Sequence, residues 1–329
     1  MKTNRYNYGT AILSAFEYLL KNYRETFVIG QGLWSPWYVG NSMTDLDKKF
    51  GKNRIIDTPV SESAVTGAAI GASLAGMKPI VVHPRMDFML YAMDPIVNQA
   101  AKWSHMFGGQ ANPEVTIRGI INRGGEQGPQ HSQALHAWFA HVPGLRVVMP
   151  STVADARDLL IASVLCKDPV IYIDDRWLYE QEDNLPKIVE FDLKTQKPKI
   201  TSKGNDVTII ASGYSSYLAR QANEKLRKVN INPEIIDVRI LNPLYIKGIV
   251  KSVKKTRKLV VVDPGWKSSG FSAELVAKVV ENLDTKCLTS QPLRIALPDA
   301  PAPTASVLEK KYYTSVDDVV KKVKSLFHK

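Results

Sequence analysis

Cysteine is scarce: Cys166 and Cys287 are the only two in 329 residues. Two thiols cannot build a disulfide framework or a cysteine metal cluster, so both are expected reduced and no metal site is expected. No apolar run approaches the roughly eighteen residues that cross a bilayer. The opening stretch, MKTNRYNYGTAILSAF, lacks the apolar core and small-residue cleavage site of a signal peptide. It reads as an entry strand or loop followed by a helix, and a cytoplasmic location is the default expectation. Internal repeats and low-complexity segments are also missing. Acidic residues are in the minority, 32 against 43 Lys and Arg, for a net charge of +11. Such an excess can mark a partner that is nucleic acid or an anionic membrane. Here the lysines gather at helix ends and connectors (KLRK, KSVKKTRK, KKVKSLFHK), without the interleaved aromatics of a nucleic-acid platform. The charge reads as a solvated basic surface, with no nucleic acid and no membrane as partner. An anionic substrate or an acidic partner protein is the other reading.

What is present is an alternation of strands and helices long enough for two domains. TFVIG, RIIDTPVSE, PIVVHP, EVTIRGII, GLRVVMP and PVIYIDD read as strands with helical stretches between them. That pattern implies an α/β fold with a mostly parallel sheet covered on both faces. The helical stretches include SAVTGAAIGASLAG, a long helix or helix pair over MDFMLYAMDPIVNQAAKWSHMF, and HSQALHAWFAHV. Residues 182–205 are polar, weakly patterned and contain Lys and Pro, which marks a linker. After it the alternation restarts with VTIIAS, PEIIDVRIL, KLVVVDP and LRIALP. The expected division is therefore 1–181, a linker at 182–205, and a smaller α/β domain at 206–329.

Four places carry chemistry. DTPVSE, residues 57–62, puts Glu62 where a strand ends and a helix starts, outside the carboxyl end of a sheet; a plain helix N-terminal acid is the competing reading. The next helix, with Gly67, Ala68, Gly71, Ala72 and Ala75, has a face almost without side chains. Glycine inside a helix costs about 1 kcal/mol relative to Ala, which suggests a close helix contact, either between subunits or onto the sheet. His83, Arg85 and Phe88 follow the next strand. For Phe88 the bland reading is core, and for Arg85 it is an ion pair with Asp87, Asp94 or a partner's acid. Finally a Gly-rich loop leads to His131, of the one side-chain type that titrates near neutrality; a structural histidine is the alternative.

Taken in order, DTPVSE with its small-residue helix, AMDPIVNQAAKW, QHSQALHAWFAHVPGLRVVMP, IIDVRILNPL, VVVDPGWKSSGFSAEL and YYTSVDDVV resemble the beta subunits of thiamine-diphosphate-dependent 2-oxo acid dehydrogenases, of the pyruvate and branched-chain type within the transketolase-like superfamily. The resemblance covers nearly the whole chain. It implies a pyrimidine-binding α/β domain followed by a transketolase C-terminal-like domain. It also implies thiamine diphosphate as cofactor. Glu62 would bond the aminopyrimidine ring nitrogen, Phe88 would pack on that ring, and His131 would lie near the thiazolium. His83 and Arg85 fall on the side where substrate would enter. The Gly-Asp-Gly stretch that holds magnesium and diphosphate in this family is missing. The resemblance thus implies a partner alpha subunit that binds the magnesium and shares the cofactor, in an α2β2 heterotetramer, with a lipoyl acyltransferase as a further partner.

The chain also departs from the family. Gln31 stands where an acid is common, which puts a proton relay through that acid in doubt. HPR at 83–85 replaces a more apolar stretch, and Arg123 and Glu126 enter the loop before His131. These changes suit a more polar 2-oxo acid than pyruvate. Decarboxylation of a 2-oxo acid with acyl transfer to a lipoyl carrier is the leading expectation. A split transketolase-like or acyloin-forming enzyme, passing a two-carbon unit to an aldehyde or sugar, is the alternative. A non-catalytic regulatory or scaffold chain is a third, and intact Glu62 and His131 speak against it.

Overall fold

The computed structural model describes residues 5–284 and 286–327. The chain packs into two compact units, one of Met1–Asn122 and Trp138–Gln196, the other of Arg123–Ala137 and Lys197–Lys329.

The first unit carries strands β1 (Arg5–Asn7), β2 (Thr26–Gln31), β3 (Ile55–Thr58), β4 (Lys78–His83), β5 (Thr116–Ile121), β6 (Arg146–Val148), β7 (Val170–Asp175) and β8 (Glu182–Asn184). Its helices are α1 (Tyr8–Asn22), α2 (Pro36–Val39), α3 (Leu46–Phe50), α4 (Glu62–Leu74), α5 (Trp103–Met106) and α7 (Val153–Val164); α6 (His136–Ala140) carries the chain from the second unit back into the first. The strands run β6-β7-β5-β4-β2-β3, every pair parallel, while β1 and β8 form a separate antiparallel pair. β5 and β7 are buried along their whole length. Their Val- and Ile-rich sequences are what a parallel strand covered on both faces requires. α1 starts at a capping box, with Thr10 N donating to Asn7 Oδ1 at 2.8 Å and Asn7 N to Thr10 Oγ1 at 2.9 Å. Such a cap is worth about 1 kcal/mol. Its buried residues Tyr8, Ile12, Ala15, Phe16 and Leu19 recur at helical spacing and form the stripe that covers the core.

The second unit contains β9 (Lys199–Ser202), β10 (Val207–Ala211), β11 (Pro233–Asp237), β12 (Ile240–Asn242), β13 (Leu259–Trp266) and β14 (Leu293–Leu297), with α8 (Gly213–Arg227), α9 (Ile246–Thr256), α10 (Phe271–Glu281), α11 (Ser306–Tyr312) and α12 (Val316–Lys324). Its sheet runs β14-β13-β10-β11-β9, parallel except for β9, which lies antiparallel to β11. Ile209, Leu226, Ile235, Val260, Val319 and Val323 meet in its core.

Several expectations are revised. The stretch expected as one long helix or helix pair is a 3-10 turn at Met86–Ala92, a π-helix at Pro95–Ala100 and the short α5. Pro95 supplies no N–H to continue a helical ladder, and the turn closes instead through Ala101 N donating to Ile96 O at 3.0 Å, a five-residue step. The expected helix from His131 begins only at His136. Part of the polar stretch 182–205 is β9, the edge strand of the second sheet. PEIIDVRIL, read as one strand, breaks into β11 and β12 at Arg239, where φ is 60°.

Candidate active site

The strand order places a topological switch in the first unit. From β2 the chain goes to β3 on one side, and from β4 to β5 on the other. Adjacent strands whose connections leave in opposite directions open a crevice at their carboxyl ends, the usual ligand position in open α/β sheets. A cleft of about 190 Å³, open to solvent, lies there, lined by Gly30 and Gln31 from the end of β2, Thr58 at the end of β3 and Pro59 after it, Val82 and His83 from the end of β4, and Ser61, Glu62 and Val65 at the start of α4. The sequence-predicted Glu62 and His83 therefore meet in one site, together with Gln31.

Glu62 is the first residue of α4 and half-buried. The helix N-terminus favours a carboxylate by about 0.3–1 kcal/mol. His83 is buried, and its Nε2 lies 3.2 Å from Thr66 Oγ1 one turn further along α4. Burial pushes the His83 imidazole down to a pKa of about 4, so it is neutral at pH 7 and its second nitrogen can accept or donate without charge. Two side-chain oxygens in the cleft, Gln31 Oε1 and Thr58 Oγ1, are buried without a hydrogen-bond partner among the described residues. Leaving such groups unmade costs about 1–3 kcal/mol each, which a polar ligand would relieve. Gly30 keeps the floor open: a Cβ there would meet Val82 O at 2.3 Å.

Phe88 and Arg85 lie just beyond, on the 3-10 turn that follows β4. Phe88 is half-buried, with its N–H donating to Arg85 O at 3.2 Å. With its amide turned oxygen-first toward Arg85, Asn122 can accept from Nε, Nη1 and Nη2 at 3.2, 2.8 and 2.9 Å. Thus the side chain read as an ion-pair candidate is also held by an amide. α4 presents its small residues outward: Ala64, Gly67, Ala68, Gly71 and Ala75 are exposed, and a Cβ on Gly67 or Gly71 would touch nothing within 4 Å. Of the two readings of this face, packing onto the sheet is excluded.

His131 belongs to the segment Arg123–Ala137, which packs with the second unit. Several contacts fasten it there. Arg123 Nη1 donates to Pro264 O at 3.2 Å, Glu126 N to the Glu309 carboxylate at 3.2 Å, and Ser306 N to Glu126 Oε1 at 3.2 Å. His136 Nε2 lies 2.9 Å from Asp263 Oδ1, with both residues buried. Burial works against the Asp263 carboxylate, but His136 and the N–H groups of Gly265 and Ser272 outweigh it and hold its pKa below the usual range. The substitutions Arg123 and Glu126, read from sequence as altering the substrate, thus anchor the segment.

Residues 4–181 match the family model for the transketolase pyrimidine-binding domain, and residues 196–319 match the transketolase C-terminal domain. The chain is 36% identical over 309 residues to the pyruvate dehydrogenase E1 component subunit beta of Rhizobium meliloti (strain 1021), covering 93% of this chain and 66% of that protein. Against the mitochondrial subunit beta-1 of Arabidopsis thaliana it is 35% identical over 94% of this chain and 86% of the relative. The chain belongs to the E1 beta family. A solved structure described as a split gene transketolase, inactive beta4 tetramer, has the same fold at a TM-score of 0.75, with 97% of each chain covered and 20% identity.

Sequence reasoning missed Thr58 in the cleft, Thr66 beside His83, and the His136–Asp263 pair, because each depends on which elements the fold brings side by side. The switch point was the available signal for Thr58, since DTPVSE already carried the strand end.

Proposed function

We propose that this E1 beta chain is half of a thiamine-diphosphate-dependent enzyme that decarboxylates a 2-oxo acid and passes the acyl group to a lipoyl carrier. The observation that supports it is the switch-point cleft, where Glu62 at a helix start stands beside two buried oxygens that lack partners. Such a donor-hungry, half-buried pocket suits the amino and ring-nitrogen groups of an aminopyrimidine. Bound there, thiamine diphosphate supplies an acidic thiazolium carbon and an electron sink for loss of carbon dioxide.

In this reading Glu62 shares a proton with the aminopyrimidine ring nitrogen, Gln31 and Thr58 accept from its amino group, and Phe88 packs against the ring. Neutral His83 holds the cleft wall through Thr66 and faces the substrate side, with Arg85 beside it. His131 serves the substrate or acyl acceptor. The partner alpha subunit holds magnesium and the diphosphate, since the sequence contains no Gly-Asp-Gly, and the two chains form an α2β2 heterotetramer.

The test is Glu62→Gln in the complex of this chain with its alpha subunit. Turnover of 2-oxo acids with an artificial electron acceptor should fall by about 10²-fold or more, as expected for a positioned acid–base group, while the melting temperature holds. Near-normal turnover by that variant refutes the assignment.

A further inference from the structure

Three neighbouring strands end in polar side chains that the cleft does not use. Arg85 stands two residues past β4, Asn122 one past β5, and Arg176 one past β7. The register aligns them: His83 pairs with Gly119, and Ile121 with Asp175. Asn122 and Arg176 therefore follow a matched pair on adjacent strands, which lie about 5 Å apart. Asn122 in turn holds the Arg85 guanidinium through its amide oxygen.

Arg176 is fixed from the other side. Its Nη2 donates to Tyr38 O, in α2, and its guanidinium lies over the Tyr179 ring at 5.8 Å. Its Nε is buried with no acceptor among the described residues. Burial, then the nearby charge of Arg176, holds the Arg85 pKa below its ordinary value, opposed by Asp87 and Tyr38. The other close carboxylates are already engaged. Asp174 accepts from Arg118 at 2.9 Å and from Tyr179 at 2.6 Å, and Asp175 accepts from Trp177 N at 3.0 Å. Two guanidiniums thus stand close enough to repel at this rim, and the Arg176 Nε–H lacks an acceptor among the described residues.

We propose that Arg85, Asn122 and Arg176 form an anion-binding subsite at the carboxyl rim of the first sheet, one step along from the Glu62 cleft, and that it selects 2-oxo acids bearing a second carboxylate. A planar guanidinium pairs with a carboxylate through two parallel hydrogen bonds. The subsite adjoins the cleft along β4, whose last residue, His83, lines the cleft wall. The inference rests on the 2-oxo acid reading above.

The experiment compares 2-oxoglutarate with 2-oxohexanoate, which has an uncharged end, as substrates of the cofactor-loaded complex with the alpha subunit. The ratio of their kcat/KM values should favour the dicarboxylate by about 10²-fold, and Arg85→Gln or Arg176→Gln should each lower that ratio about tenfold or more, chiefly through KM. Arg176→Lys should recover part of it. A second arm needs no turnover: calorimetry of the complex with glutarate and with valerate. Glutarate should bind, valerate should not, and Arg176→Gln should abolish the difference. Equal losses on both substrates, or glutarate binding no better than valerate, overturns the subsite. Decarboxylation of 2-oxo acids without glutarate preference would sink this inference alone. Glutarate binding that depends on Arg176 without any decarboxylation would sink the functional reading and leave the anion subsite standing.

Discussion

His83 is the residue whose chemistry is most altered by its position. It is buried against Thr66, and desolvation lowers its pKa from 6.5 to about 4. The linkage has a definite sign. Between pH 6.5 and about 4 the unfolded chain binds a proton that the folded chain refuses, so stability falls as pH falls through that window. The loss reaches on the order of 3 kcal/mol at its acid end. His83→Gln, which keeps a hydrogen-bonding group near Thr66, should flatten this part of the pH–stability curve. Denaturant unfolding of both proteins at several pH values between 4 and 7 checks it; parallel curves would show that the imidazole titrates normally. From the sequence, His83 was legible as a strand-end residue on the side where substrate would enter, but its neutrality was not. Its neutrality comes from the wall of α4, and no local pattern announces which helix will cover a given strand end.

Among the elements, α4 combines a legible pattern with a hidden orientation. The spacing of Gly67, Ala68, Gly71 and Ala75 made a side-chain-poor face evident, yet either side of the helix could have met the sheet. The structure turns Thr66, Ala69, Ile70 and Ser73 inward and leaves the glycines facing open space. Gly71→Ala should therefore stabilise the isolated chain by up to about 1 kcal/mol, since the methyl meets no neighbour and the helix gains propensity. Gly71→Leu should leave the chain folded but weaken its association with the alpha subunit, read by size-exclusion chromatography of the mixed subunits. A destabilised Gly71→Ala chain would show that the face is already packed. The broken 86–106 segment teaches the converse. Apolar residues there recur at helical spacing, but Pro95 and the fit of Met89 over Gly119, where a Cβ would lie 2.3 Å from the sulfur, dictate a 3-10 turn and a π-helix. Periodicity recorded that the segment was buried, not which helical winding it took. The Arg118–Asp174 pair was equally illegible, because 56 residues separate two side chains that only the β5–β7 register brings together.

For the whole molecule, the alternation of strands and helices made the two-domain α/β order readable, since parallel sheets need a crossover after each strand. The membership of residues 123–137 was not readable, because Arg123, Glu126 and His136 act through partners at Pro264, Glu309 and Asp263 that lie far along the chain. The largest consequence concerns what this chain can bind alone. Its cleft is lined by one carboxylate and neutral polar groups, with no cation for a diphosphate. Such groups can pair with a pyrimidine ring, whereas a diphosphate calls for cations or a metal. The isolated chain should therefore bind thiamine diphosphate only weakly, even with magnesium, and under the function proposed above the alpha subunit should tighten binding by orders of magnitude by adding diphosphate contacts. Isothermal titration of the lone chain, the lone partner and the mixture with cofactor and magnesium measures this directly. Micromolar binding by the lone chain would mean that the site is complete within this polypeptide, and the division of labour between two subunits would have to be abandoned.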